Sequence, residues 1–290
     1  MKKLLLGIFL LVSSLAFSAE RLVKIENTYM DNKGIVFVAG EETPFTGIVE
    51  NYKTSEGDKT LSGKVPFKDG LMEGTSKLFY SNGKMASEAT FKDNVQDGLQ
   101  KDYFEDGKVK LEIPYKNGKV EGTAKEFYPN GKLFVEATYK NAIKDGYEKS
   151  YYETGALQSE KIVKNGKMDG FSKLYYPNGK LKSNISMKNG KRDGLEKIYY
   201  ENGKLKEEIT FKKGMKEGAS KLYHPSGAVS AKLNYKNDRY EGLQKYYYEN
   251  GKLQAEIEMS KGQLDGLTKM YDENGKLKEE IIYKNGKKVK

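Results

Sequence analysis

The residue types able to do acid, base or metal chemistry are few and spread at regular intervals. One histidine is present, His224, and no cysteine. A histidine acting as general base needs an orienting partner and a nucleophile beside it. A zinc or calcium site needs further His, Cys or clustered carboxylates. His224 stands where related segments carry tyrosine, which reads as drift at a tolerant position. One acidic residue recurs at every 24th position: Glu73, Asp97, Glu121, Asp145, Asp169, Asp193, Glu217, Glu241 and Asp265. Calcium-binding repeats place several Asp in one short loop, whereas here each turn holds a single such residue. The local reading is that it caps turn amides or pairs with the lysine four residues on, such as Lys173 or Lys197. That lysine also recurs, as Lys77, Lys101, Lys125, Lys149, Lys173, Lys197, Lys221, Lys245 and Lys269. Its stem can cover apolar surface while its ammonium reaches an acid. Asn-Gly-Lys segments recur too, but no helix follows them as a phosphate loop requires. No catalytic residue, cofactor site or metal site is expected, and no specific nucleic-acid recognition.

A recurring aromatic position is the better candidate for binding. Tyr80, Phe104, Tyr128, Tyr152, Tyr176, Tyr200 and Tyr248 lie beside Lys84, Lys132, Lys180 and Lys204. On strands, equivalent residues two strands apart are ~9.6 Å apart. A ladder of rings and ammonium groups at that spacing suits an extended anionic polymer, a peptide or a glycan. The alternative is that the rings cover the turn glycines and stabilise the chain.

The elements that must position these groups follow from the period. Gly74, Gly98, Gly122, Gly146, Gly170, Gly194, Gly218, Gly242 and Gly266 are 24 residues apart. Counting that glycine as position one, the copy from Gly194 reads GLEKIYYENGKLKEEITFKKGMKE. A degenerate copy begins at Gly47, with its extra residues placed in 54–60. Residues 19–46 form an N-terminal cap with a short strand pair around Asn32-Lys33-Gly34. Each unit holds two turn signals, such as Tyr176-Pro177-Asn178-Gly179-Lys180 and Lys188-Asn189-Gly190-Lys191, and Asn-Gly between alternating runs marks a hairpin. Pro177 fits the first central position of a type I turn. The first turn is therefore read as a three-residue loop with a left-handed glycine, at Gly83, Gly107, Gly131, Gly155, Gly179, Gly203, Gly227, Gly251 and Gly275. In that register Phe171, Tyr175, Leu181, Ile185 and Met187 share one apolar face. Ser172, Leu174, Tyr176, Lys182, Asn184 and Ser186 share a more polar one. Gly and Asn-Gly interrupt every run before a helix could form. The expected fold is all-β: an elongated, single-layer antiparallel meander of tandem 24-residue hairpins over residues 47–290.

The unit resembles the MORN repeat variant, the type found in tandem in the YwqK family of antitoxins. The matching residues are Tyr199-Tyr200-Glu201-Asn202-Gly203-Lys204-Leu205, Glu208, Phe211 and Glu217-Gly218. The resemblance covers residues 44–290. It implies a β-ribbon used for binding or assembly, and the antitoxin relation implies neutralisation of a partner toxin by direct binding. The sequence departs from the standard MORN pattern in having no Trp.

The ends and the charge set the compartment expected. Lys2 and Lys3 followed by the apolar run Leu4 to Val12, with Ala16-Phe17-Ser18, read as a signal peptide over residues 1–18. No later run approaches the ~20 apolar residues of a membrane span. An exported protein is expected, in the periplasm, on the outer surface or secreted. The formal charge is +10; losing Lys2 and Lys3 leaves 49 basic against 41 acidic residues, or +8. Because the signs alternate along the chain, this excess reads as a solvated surface with a weak preference for anions. The partner expected is a protein or an anionic polymer or glycan.

Overall fold

The computed structural model describes residues 20–56 and 59–289, so the expected signal segment 1–18 lies outside the described residues. The chain is all-β, and the described residues form one 27-stranded sheet and a separate two-stranded one. No helix among the described residues is long and apolar enough to cross a membrane. β1 (Leu22–Lys24) lies parallel to β4 (Gly47–Glu56), and β2 (Thr28–Met30) pairs with β3 (Val36–Val38). β4 then pairs antiparallel with β5 (Lys59–Lys68), which leads into the units. Val36, Val38, Phe45, Val49, Val65 and Phe67 close a small core at this end.

Both turns follow from residues that accept a left-handed backbone. In the unit from Gly170, the Tyr176 N–H donates to the Lys180 carbonyl at 2.8 Å and the Gly179 N–H to the Tyr176 carbonyl at 2.8 Å. The loop is thus Pro177-Asn178-Gly179, with Gly179 at φ +81°. At the other end Lys188 faces Lys191. Asn189 at φ 49° and Gly190 at φ 78° form a two-residue type I′ turn, whose twist matches its strands. Within the nine units every three-residue turn falls on one long edge of the ribbon and every two-residue turn on the other.

The register departs from the expected one next to the three-residue turn. Tyr175 faces Leu181, but Leu174 faces Ser183, so Lys182 is an extra, bulged residue. Ser172 then faces Ile185, Phe171 faces Ser186 and Gly170 faces Met187. Directly opposed residues share a face. Ile185 and Met187 therefore leave Phe171 and join Ser172, Leu174 and Ser183, while Asn184 and Ser186 cross the other way. The same shift occurs at Ile198/Tyr199, Leu222/Tyr223 and Tyr246/Tyr247. One inserted residue lets the turn keep its Tyr175–Leu181 pair while the rest of the strand gathers its large apolar groups on one side.

That side is the buried face. Ile209, Phe211, Ala231, Leu233 and Tyr235 form its largest cluster, with Leu222, Tyr240 and Tyr246 packed against them. The opposite, open face leaves Leu99, Tyr147, Leu195 and Leu243 exposed. Side chains on neighbouring strands cover one another, so stability passes from unit to unit.

Glu196 also lies on the buried face, only 4% exposed. Its Oε2 is 3.2 Å from the half-exposed Arg192 guanidinium but makes no hydrogen bond. Burial pushes its carboxyl above the ordinary range. Gln244 fills the same position two units on and is fully bonded. Its Oε1 accepts the Asn234 N–H at 2.8 Å, and its Nε2 donates to the Glu241 and Gly242 carbonyls at 3.1 and 3.0 Å. A raised carboxyl binds its proton more tightly in the folded chain, so the acid form favours folding at low pH and that advantage is lost as pH rises. Glu196→Gln is expected to stabilise the protein at pH 7 by about 1 kcal/mol, raising the melting temperature by roughly 2–4 °C. The difference should close as pH falls through the carboxylate range. Melting curves of both proteins from pH 4 to 8 check this.

Candidate functional site

The aromatic stripe lies along the three-residue-turn edge, on the same side as Ser172 and Leu174. That is the buried face, not the more polar one expected from sequence, because the bulge carried Ile185 and Met187 to it. Its phenols reach the next unit. Tyr80 donates to the Tyr103 carbonyl at 2.5 Å and Tyr128 to that of Tyr151 at 2.8 Å. Tyr152, Tyr176, Tyr200 and Tyr248 donate to the carbonyls of Tyr175, Tyr199, Tyr223 and Tyr271 at 2.8, 2.9, 2.7 and 2.8 Å. His224 does the same work: its Nε2 lies 3.1 Å from the Tyr247 carbonyl. Phe104 keeps the place but has no hydroxyl.

In four units the bulged residue packs on the ring, Ala86 on Tyr80 among them. Phe134 lies 4.9 Å from Tyr128 between centroids. The ammonium groups of Lys182 and Lys206 stand 5.5 and 5.6 Å from the centroids of Tyr176 and Tyr200. The turn lysines reach onward as well. Lys84, Lys132, Lys180 and Lys204 donate to the carbonyls of Asp106, Thr154, Asn202 and Ser226, the first three at 3.2, 2.6 and 3.0 Å. Asn82, Asn130, Asn178 and Asn202 add amide bonds to the carbonyls of Glu105, Glu153, Glu201 and Pro225. The turns at residues 80–84, 128–132, 176–180, 200–204 and 248–252 are thus each fastened to the next by hydroxyl, ammonium and amide. Tyr80 is buried and the other rings of the stripe are half-buried, while the turn lysines stay exposed.

In the last unit Asp272 takes the aromatic place. Its Oδ1 accepts the Asn274 and Lys276 amides of its own turn at 2.9 and 2.8 Å. The turn satisfies itself.

The recurring acids and lysines separate. Of the two partners expected for the acid, the structure shows the amide. Asp169 accepts the Asn189 N–H at 3.2 Å, and Glu73, Asp97, Glu121, Asp145, Asp193, Glu217 and Glu241 each accept the amide twenty residues on. The Gly190 N–H also donates to the Met168 carbonyl at 2.7 Å. Asp265 pairs instead with Lys284.

Lys173 and Lys197 do not pair with the acid four residues back. They lie on the open face and reach glutamates of adjacent strands, Lys173 to Glu160 at 2.9 Å and Lys197 to Glu208 at 3.1 Å. Lys77, Glu88, Lys101, Glu112, Lys125, Glu136, Lys149, Glu160 and Lys173 stand in one cross-strand row of alternating sign. Tyr175 donates to Glu160 at 2.7 Å and Tyr223 to Glu208 at 2.9 Å. Burial and the facing carboxylate push both phenols up to about 12. The Tyr175 hydroxyl, then Lys173, hold the Glu160 carboxyl below its ordinary range.

A further recurrence escaped the reading of the sequence. Position 19 of the unit is lysine at Lys92, Lys116, Lys140, Lys164, Lys188, Lys212, Lys236 and Lys284, with Lys68 ahead of them. All are exposed and flank the two-residue turns. The signal was the constant interval of 24, masked because lysines and acids are interspersed throughout every unit.

A model of the MORN repeat variant matches nine segments: 72–93, 96–117, 120–141, 144–165, 168–189, 192–213, 216–237, 240–261 and 264–285. Each segment holds both strands of one hairpin and the three-residue turn that carries the aromatic stripe. Among curated proteins none matches the chain. The matched segments cover more than half of the residues, and with the tandem hairpins they define, this repeat protein belongs to the MORN repeat variant family.

Proposed function

We propose that this chain is an exported, non-catalytic ribbon that binds a protein or an anionic glycan along its length at the cell envelope or outside the cell. One observation carries the reading. The recurring Tyr, Asn, Lys and acidic groups join each unit to the next, and the product is a long surface presenting the same outward groups at every second strand. Such a surface favours ligands that are themselves extended and repetitive, because weak contacts multiply once the first has formed. The charged n-region and short apolar run at the start supply the reason for export.

The test is fractionation of cells producing the full chain, with N-terminal sequencing of the mature form and a pull-down from envelope extract. A mature protein beginning at residue 19 in the envelope or medium, with a retained partner, supports the proposal. An unprocessed cytoplasmic protein overturns export. A processed protein that retains nothing overturns the binding role.

A further inference from the structure

Folding sorts the charges that alternate along the chain. Across the nine units from Gly74, positions 7 to 11 form the three-residue-turn edge and hold seven basic and seven acidic residues. Positions 19 to 24 form the opposite edge and hold nineteen basic and ten acidic residues, a net +9. The excess of the whole chain therefore sits on one edge. Lys68, Lys92, Lys116, Lys140, Lys164, Lys188, Lys212 and Lys236 are exposed there, and none of the eight forms an ion pair among the described residues. The acids of this edge are turned to the turn amides. Between successive turns lie recesses. One of about 340 Å³ is lined by Lys236, Asn237, Arg239, Glu241 and Lys261, and one of about 380 Å³ by Lys116, Asn117, Lys119, Glu121 and Asn141.

We infer that this two-residue-turn edge is the docking surface for a stiff, linear anionic polysaccharide, one carrying a carboxylate or phosphate at regular intervals. The inference rests on the proposed export and narrows the ligand to one class. Equivalent lysines repeat every ~9.6 Å along the edge. Most of the basic groups are lysines, which recognise point charges rather than planar pairs. An unstructured acidic peptide would order about three residues for each lysine it met, and that ordering costs more than one exposed ion contact returns. The turn amides already have partners, so the edge offers a peptide no strand to pair with. Among the described residues no exposed ring stands at these turn tips for stacking unpaired bases. A ring-stiffened sugar chain keeps its charges spaced without that ordering cost.

The purified full chain is tested against immobilised polygalacturonate, with dextran, polyglutamate and duplex DNA as comparison ligands. Binding to polygalacturonate over the other three is expected, weakening steeply with salt. Changing Lys164, Lys188, Lys212 and Lys236 together to Gln should weaken it by on the order of ten-fold or more and flatten its salt dependence. Changing Lys125, Lys149, Lys173 and Lys197 together to Gln, in the cross-strand Lys–Glu row of the open face, should leave it within about two-fold, as expected where local charge density sets affinity. Melting curves confirm that both variants fold. Equal losses from the two variants, or none from the first, overturn the assignment of the edge. Tighter binding to DNA or polyglutamate overturns the polysaccharide. Because the assay uses purified protein, its failure is distinct from failure of export, which fractionation alone decides.

Discussion

Removing residues 170–193 yields a shorter ribbon that still folds, whereas removing residues 182–193 destroys the fold beyond the deletion. The 24-residue excision joins Asp169 to Gly194. Each unit contacts its neighbours alone, so the new junction repeats the old one: Tyr152 meets the Tyr199 carbonyl as it met that of Tyr175. The 12-residue excision removes one strand and one turn. Every later strand would then run in the opposite direction and each turn type would change edges. Phenols, turn lysines and capping acids would all face the wrong neighbours, and like would meet like along the Lys–Glu row. Since non-neighbouring units contribute little, nothing compensates. Circular dichroism should show the 24-residue deletion keeping its β signal per residue and a cooperative melt. The 12-residue deletion should lose both. The opposite result would refute the period and the meander together.

A large loss of stability is expected when Tyr152, Tyr176 and Tyr200 are changed together to Phe. The three hydroxyls fasten four consecutive units through the carbonyls of Tyr175, Tyr199 and Tyr223. Each bond contributes about 1 kcal/mol net, so the triple variant should lose about 3 kcal/mol and melt on the order of 6–12 °C lower. Serine in the same three places also removes the rings, at roughly 1–2 kcal/mol more for each. The comparison separates the two uses of the stripe. If binding depends on the ring faces, the Phe variant keeps its partner below its melting temperature while the Ser variant loses it. A Phe variant that melts like the wild type would show that the phenols do not hold the units together.

Local sequence determined what depends on a few adjacent residues. Asn189-Gly190 accepts two left-handed residues in succession, and Pro177-Asn178-Gly179 accepts a type I turn closed by a left-handed glycine. Those preferences, repeated every 24 residues, were enough to define the two turns, the strand lengths and an all-β ribbon. The tertiary structure decided what depends on competition across strands. The bulge at Lys182 is one such choice. Alternation within either strand is satisfied with or without it, and only the opposed strands reveal that it gathers Ile185 and Met187 with Leu174. The partners of the capping acids and of the tyrosines lie 20 to 23 residues away, beyond any local rule. The basic edge has the same origin. In sequence the lysines of position 19 are diluted by nearby acids and read as an ordinary solvated surface. A meander sends every second turn to the same edge, so a charge recurring once per unit becomes a continuous column only after the chain has folded.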